Sequence, residues 1–401
     1  MPVPRLYDAF LAEHLRNHRQ MAFLGGPRQV GKTTTGRVHS DAYVNWDNLD
    51  DRELILAGPR ALAERFGLDR LREERPTVLL DELHKYPLWR QFLKGLFDTY
   101  ADGARFVVTG SSRLDVYRRG GDSLMGRYFF YRMHPFSLAE TLTQDLPDSE
   151  AIVRPPRHLP ATTWSSLCDY GGYPEPFLKR HRRFARRWQT FRHQQLVREE
   201  VRDLTRVQQL DQLEVMARLL SDRSGQQLVF GNLARQIRVS EDTVRRWVAT
   251  FSDLYLGFLV RPWHRGVARS LRKEPKWYLR DWSSIGDPGA RAETLVACHL
   301  LKAAEGWTDL GLGDFELGYL RDKDKREVDF VVVRDGDPWF LVEAKWGEAP
   351  LSPSLKHFQD QIGAPFAFQV ELGMEYVDRD LFAEPGRPLV VPARTFLSQL
   401  L

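Results

Sequence analysis

The first third of the chain alternates short apolar runs with stretches of helical period. Met21–Gly25, Tyr43–Trp46, Val78–Leu80 and Phe106–Thr109 read as buried strands, and helix-compatible sequence separates each from the next. Alternation of this kind predicts an α/β fold: a parallel sheet with helices on both faces. From Gln144 to Pro160 the pattern breaks into Pro, Asp and Ser, which marks a boundary loop.

Residues 161–264 read as mostly helical. Ala234, Ile237 and Val239 precede a short turn. Ser240 is a good N-cap, Asp242 falls in the first turn of the next helix, and Val244, Trp247 and Val248 share its apolar face. This is a helix-turn-helix pattern of winged-helix type. Arg238 stands where such turns often carry Gly, which weakens a base-reading role. Arg235, Arg245 and Arg246 face either phosphates or solvent.

The last segment opens with a basic loop and a long helix near Ala290–Ala304. Two strands follow, Val328–Val333 and Trp339–Ala344, around the hairpin punctuation Asp335-Gly336-Asp337-Pro338. Gly363-Ala364-Pro365 and the run Phe366–Val370 predict one more strand. The pattern therefore divides the chain into 1–145, 146–264 and 265–401.

Composition changes this picture little. Hydrophobic residues make up 42% and charged residues 28% of 401, a globular balance. No apolar run approaches the roughly 18–20 residues of a membrane span. The first residues are Pro-rich and lack the apolar core of a signal peptide. Cys168 and Cys298 lie far apart and share no metal-ligand spacing. The expectation is a cytoplasmic protein with no membrane partner. The net charge is only +4, but its distribution is uneven. Between Lys179 and Arg206 ten Lys/Arg stand against three acids, with Phe184, Trp188, Phe191 and Leu196 at near-helical spacing. Such a helix presents either a solvated basic face or a surface for nucleic-acid phosphates.

The strongest chemistry follows the first strand. Gly26-Pro27-Arg28-Gln29-Val30-Gly31-Lys32-Thr33, with Thr34 beyond, matches G-x-x-x-x-G-K-[ST] between a strand and a helix beginning near Lys32. Glycines let the backbone wrap phosphates with N–H groups facing the anion at a helix N-terminus. Lys32 then reaches the β- and γ-phosphates of ATP and the Thr33 hydroxyl ligates Mg2+. The apolar strand Thr77–Leu80 ends in Asp81 and Glu82. Asp81 suits Mg2+ through water, and Glu82 suits the general base that polarises the attacking water. After the strand ending at Thr109, Ser111 is the candidate γ-phosphate sensor. Arg127 or Arg113 is the candidate arginine finger across the interface of a homo-oligomer.

The runs FLGGPRQVGKTT, YVNWDN, LLDELHKYPLW, VVTGSSRLDV, SLMGRYFFYRMHPFSLAE and GGYPEPF resemble a prokaryotic AAA-type ATPase family, archaeal-ATPase-like. Its members carry a C-terminal domain of unknown function. The resemblance covers nearly the whole chain. It implies a P-loop ATPase core, a winged-helix segment and a C-terminal domain of restriction-endonuclease-like fold.

The C-terminal segment carries a pattern of that kind. Asp329 begins one strand, and Glu343-Ala344-Lys345 ends the next. Residues i and i+2 of a strand share a face, so Glu343 and Lys345 point together, and the hairpin brings Asp329 beside them. Asp329 and Glu343 then suit a shared Mg2+, with Glu293 from the preceding helix nearby and Lys345 stabilising a charged phosphate or orienting water. Two functions fit. In one, ATP state drives DNA binding, and DNA cleavage, by the C-terminal domain. In the other, the chain is a nucleotide switch whose C-terminal domain binds partners without cutting.

Overall fold

The structure, a computed structural model, describes residues 3–70, 72–110, 124–197, 210–264 and 274–401. It divides into two compact units: Met1–Pro135 with Thr143–Leu146, and Phe136–Leu142 with Pro147–Leu401.

The first unit is built on five parallel strands: β1 (Met21–Gly25), β2 (Ala42–Asn45), β3 (Thr77–Asp81), β4 (Arg105–Gly110) and β5 (Tyr128–Arg132), in the order β2-β3-β4-β1-β5. Every residue of β1 and β3 is buried, which is why both read as unbroken apolar runs. The fifth strand was not expected. As an edge strand it leaves Phe129 exposed, so its aromatic run has no uniform burial pattern to read. Phe23, Val44, Leu80 and Val108 from the strands pack with Trp89, Phe92, Leu93 and Leu96 of the helix Trp89–Tyr100. The strand order places the ends of β1 and β3 at the same edge, with β4 between them. Loops at that edge of a parallel sheet form ligand sites.

The second unit contains one eight-stranded sheet. Its strands are β6 (Gln226–Gln227), β7 (Gly257–Pro262), β8 (Lys276–Leu279), β9 (Phe315–Arg321), β10 (Glu327–Arg334), β11 (Asp337–Lys345), β12 (Phe366–Glu371) and β13 (Leu389–Pro392), in the order β13-β12-β11-β10-β9-β7-β8-β6. β7 pairs parallel with β9 through Arg261↔Gly318 and Pro262↔Tyr319. The sheet therefore runs across the division expected between residues 264 and 265. The β10–β11 hairpin turns on Asp335 at φ 52° and Gly336 at φ 89°, the pair of positive φ values that a two-residue turn needs. Gly363, at φ 73°, ends the helix Pro353–Ile362 ahead of β12.

The helix-turn-helix pattern is present as helices Phe230–Ile237 and Glu241–Asp253. Arg238 takes the left-handed conformation at φ 61°, and the Ser240 side chain accepts from the Thr243 N–H. Val244, Trp247, Val248 and Phe251 are buried beneath them. The basic stretch forms the helix Arg182–Gln195, which buries Ala185 and Trp188, with Leu196 buried just beyond. Phe191 departs from the expected apolar stripe and is exposed, with the Arg187 guanidinium 5.4 Å from its ring centre. Positions 198–209 lie outside the described residues. Among the described residues, no helix is long and apolar enough to cross a membrane.

Candidate functional site

The P-loop connects β1 to the helix Lys32–Val38, and its glycines are required by space as well as by φ. A Cβ on Gly26, at φ 149°, would meet the Met133 carbonyl oxygen at 2.3 Å. Gly31, at φ 104°, leads into the helix in a left-handed conformation that side chains resist. The buried Arg5 guanidinium braces the loop by donating to the carbonyls of Val30 and, at 2.7 Å, His134. Sequence reading missed Arg5, because an arginine near the start of a chain carries no motif.

The Lys32 ammonium lies inside the loop and donates to the carbonyls of Gly26 at 2.9 Å and Pro27 at 2.7 Å. Thr33 donates its hydroxyl to Asp81 Oδ2 at 2.9 Å, so the two residues expected to hold Mg2+ are adjacent. Two further hydroxyls converge on the same carboxylate, Tyr43 at 3.0 Å on Oδ2 and Thr109 on Oδ1. Burial, then the Asp81 charge, raises the Tyr43 phenol above its ordinary pKa. Neither Tyr43 nor Thr109 was singled out in the sequence. Tyr43 is the second residue of β2 and Thr109 lies next to the end of β4, the two strands flanking β3, and only the strand order β2-β3-β4 brings them to Asp81. A glycine cradle and paired hydroxyl and carboxylate oxygens fit a nucleotide phosphate chain with Mg2+.

Glu82 follows Asp81 in a left-handed conformation, φ 55°, sparsely populated by residues other than glycine. Its carboxylate is 3.0 Å from the Lys85 ammonium, which also reaches Asp47 at 2.5 Å. Ser111 and Arg113 lie outside the described residues. Arg127 precedes β5, and β5 runs parallel to β1, so Arg127 sits at the opposite end of the sheet from the P-loop. Its guanidinium there holds Asp98 at 2.7 and 3.0 Å.

In the second unit Glu293, Asp329, Glu343 and Lys345 come together as their spacing suggests. Glu343 takes the Lys345 ammonium at 2.8 Å on one oxygen and faces the Asp329 N–H at 3.4 Å with the other. Asp329 Oδ2 accepts from the Ala344 N–H at 3.1 Å. Three residues missed in the sequence complete the cluster. Lys276 of β8 sends its buried ammonium to Glu293 at 2.9 Å, Glu327 at 2.6 Å and Asp329 at 3.3 Å. Tyr278 donates its hydroxyl to Glu293 at 2.6 Å, and Glu327 also holds Arg321 at 2.6 Å. A lysine heading the apolar run Lys276-Trp277-Tyr278-Leu279 was the available signal, because a buried ammonium must be paired or hydrogen-bonded. Burial pushes Glu293 up to about 7, with Asp329 adding to it. Burial, then Asp329, also raises Glu343. Burial by itself would depress Lys276, but Asp329, Glu293 and Glu327 outweigh it and hold the ammonium charged.

The sheet order, the loop after β1 and the acids after β3 define the first unit as a P-loop α/β domain of AAA type. In agreement, residues 18–142 match a family model described as an AAA domain. Residues 162–285 and 288–382 match two further models, each described as a domain of unknown function, DUF8612 and DUF4143. The uncharacterized proteins Mb2031c of Mycobacterium bovis and Rv2008c of Mycobacterium tuberculosis are each 24% identical over 350 residues, covering 84% of this chain and 73% of the relative. Among solved structures, the Aeropyrum pernix ORC1 protein in complex with DNA is similar at 15% identity and TM-score 0.32, covering 73% of this chain and 90% of that one. AMPPCP-bound DnaA from Aquifex aeolicus is similar at 13% identity and TM-score 0.29, covering 63% of this chain and 90% of that one.

Proposed function

We propose that this chain is a Mg2+-dependent ATP hydrolase whose nucleotide state governs engagement of DNA by its second unit. The observation that supports the hydrolase is that Lys32 and Thr33, in the first turn of the helix after the P-loop, and Asp81 and Glu82, at the end of β3, share one edge of the parallel sheet. The loop N–H groups cradle the phosphates, and Lys32 exchanges its carbonyl partners for the β- and γ-phosphates. Thr33 and Asp81 would hold Mg2+, with Thr109 and Tyr43 fixing the Asp81 carboxylate. When bound, Mg2+ neutralises charge on the phosphates. Glu82 orients the attacking water and takes its proton.

DNA engagement is supported by a cleft beside the basic helix. Arg182 and Arg186, one turn apart, line about 550 Å³ together with Arg291 and Tyr170, and Asp169 is the acid at that surface. Arg291 is anchored through its Nε to the Ile285 carbonyl at 2.8 Å. Guanidiniums beside an aromatic ring suit a phosphodiester chain with a stacked base. Of the two readings of the C-terminal acids, DNA cleavage and binding without cleavage, the Lys276 ammonium among them favours the second.

The test is phosphate release and DNA retention by the full chain, native, Lys32→Ala and Glu82→Gln. Lys32→Ala should lose nucleotide binding. Glu82→Gln should keep it and turn over about 10²–10⁴-fold more slowly. DNA retention should change with ATP in the native chain and not in Lys32→Ala. A native chain that releases no phosphate would overturn the hydrolase, and one that retains no DNA at low salt would overturn the coupling.

A further inference from the structure

A restriction-like active site needs carboxylate oxygens free to ligate a divalent cation, and Mg2+ requires near-octahedral oxygen ligands at about 2.0–2.1 Å. The cluster of the second unit was tested on its own contacts. Lys276 reaches Glu293, Glu327 and Asp329 at once with a side chain only 4% exposed. The other oxygens of Asp329 and Glu327 and both of Glu343 are engaged as well. Asp329 takes the Ala344 N–H, Glu343 is divided between Lys345 and the Asp329 N–H, and Glu327 holds Arg321. Among the described residues, no group of three or more His, Cys, Asp or Glu side chains is arranged to hold a metal ion. The acids expected to bind Mg2+ converge, but they do not fit Mg2+, because a cation of this chain already stands among them.

We propose that the Lys276 ammonium is the resident cation of this acidic cluster and excludes a divalent metal from it. The proposal rests on reading the second unit as one that binds and does not cut. The source of the lysine supports it. Lys276 comes from β8, which pairs with β7 beside the helix-turn-helix, whereas the acids come from the helix Pro288–Asp309 and from β10 and β11. One ammonium thus ties the two halves of the eight-stranded sheet together, taking over the charge balance that a metal ion would provide. It cannot be displaced without breaking three ion pairs at once and leaving buried carboxylates unmatched.

The experiment is Mn2+ uptake by the full-length chain without nucleotide, read from loss of the free Mn2+ signal in electron paramagnetic resonance. The native chain is compared with Asp329→Asn, Glu343→Gln, Lys276→Met and Lys276→Met/Asp329→Asn. The expected result is that native, Asp329→Asn and Glu343→Gln take up the same Mn2+, since whatever binds at the P-loop is common to all three. Lys276→Met should gain one further Mn2+, lost again in the double variant. A native chain whose uptake falls on Asp329→Asn or Glu343→Gln overturns the proposal, as does a folded Lys276→Met that gains none. If Lys276→Met does not fold, the comparison of the native chain with the two acid variants decides. Failure to bind DNA would sink the functional reading and leave the Mn2+ result intact.

Discussion

Single side chains in the first unit do work that their motifs alone do not describe. Asp81 collects hydroxyls from Thr33, Tyr43 and Thr109, so the position of its carboxylate is fixed by three strands and the P-loop helix. His14 shows a different consequence of packing. Its Nδ1 meets the Tyr131 hydroxyl and its Nε2 the Gln20 carbonyl, both at 2.8 Å. Burial lowers its pKa from 6.5 to about 4. The unfolded chain therefore binds the His14 proton more readily than the folded one between those values. Stability from this group is complete above about pH 6.5 and is lost as the pH falls toward 4, by up to about 3 kcal/mol. In urea unfolding at pH 7 and pH 4.5, His14→Gln should lose less stability on acidification than the native chain. Parallel losses would remove the assignment.

At the scale of elements, the short helix Leu138–Leu142 illustrates a contact that binary patterning does not reveal. It belongs to the second unit, where fully buried Glu140 pairs with Lys302 of the helix Pro288–Asp309. His299 of the same helix accepts from the Leu138 N–H at 2.9 Å. Removing one member of a buried ion pair leaves the other charge undercompensated, at a cost of up to about 3–5 kcal/mol, whereas replacing both with apolar residues is often neutral. Lys302→Met should therefore destabilise the chain strongly in thermal unfolding, and Glu140→Leu/Lys302→Met should recover most of the loss. A single variant as stable as the double would show that the pair is not desolvated. The hairpin and the helix-turn-helix, by contrast, were legible beforehand. Asp335-Gly336 and Ser240 act through φ and capping, which depend on neighbours in sequence.

At the scale of the whole molecule, the coupling proposed above would join the nucleotide site of the first unit to a surface of the second. The proposed DNA surface is the cleft lined by Arg182, Arg186 and Arg291. Arg182→Glu/Arg186→Glu should weaken DNA binding and lower the slope of log affinity against log salt by about 2, one per lost phosphate contact. Phosphate release measured without DNA should be unchanged. An unaltered salt slope would move the DNA surface elsewhere.

Read alone, the sequence determined the parallel α/β sheet, the P-loop with Lys32 and Thr33, the acids Asp81 and Glu82, and the strands bearing Asp329, Glu343 and Lys345. Each depends on short-range physics: burial period, glycine at positive φ, or side-chain alternation along a strand. The tertiary structure alone decided that β5 joins the first sheet and that β7 pairs with β9 across the expected domain division. It also brought Tyr43 and Thr109 to Asp81, and Lys276 to Glu293, Glu327 and Asp329. Those groups are distant in sequence and meet only through strand order, which side-chain periodicity does not encode. Whether acids meet a metal ion or a lysine depends on which strand lies beside them.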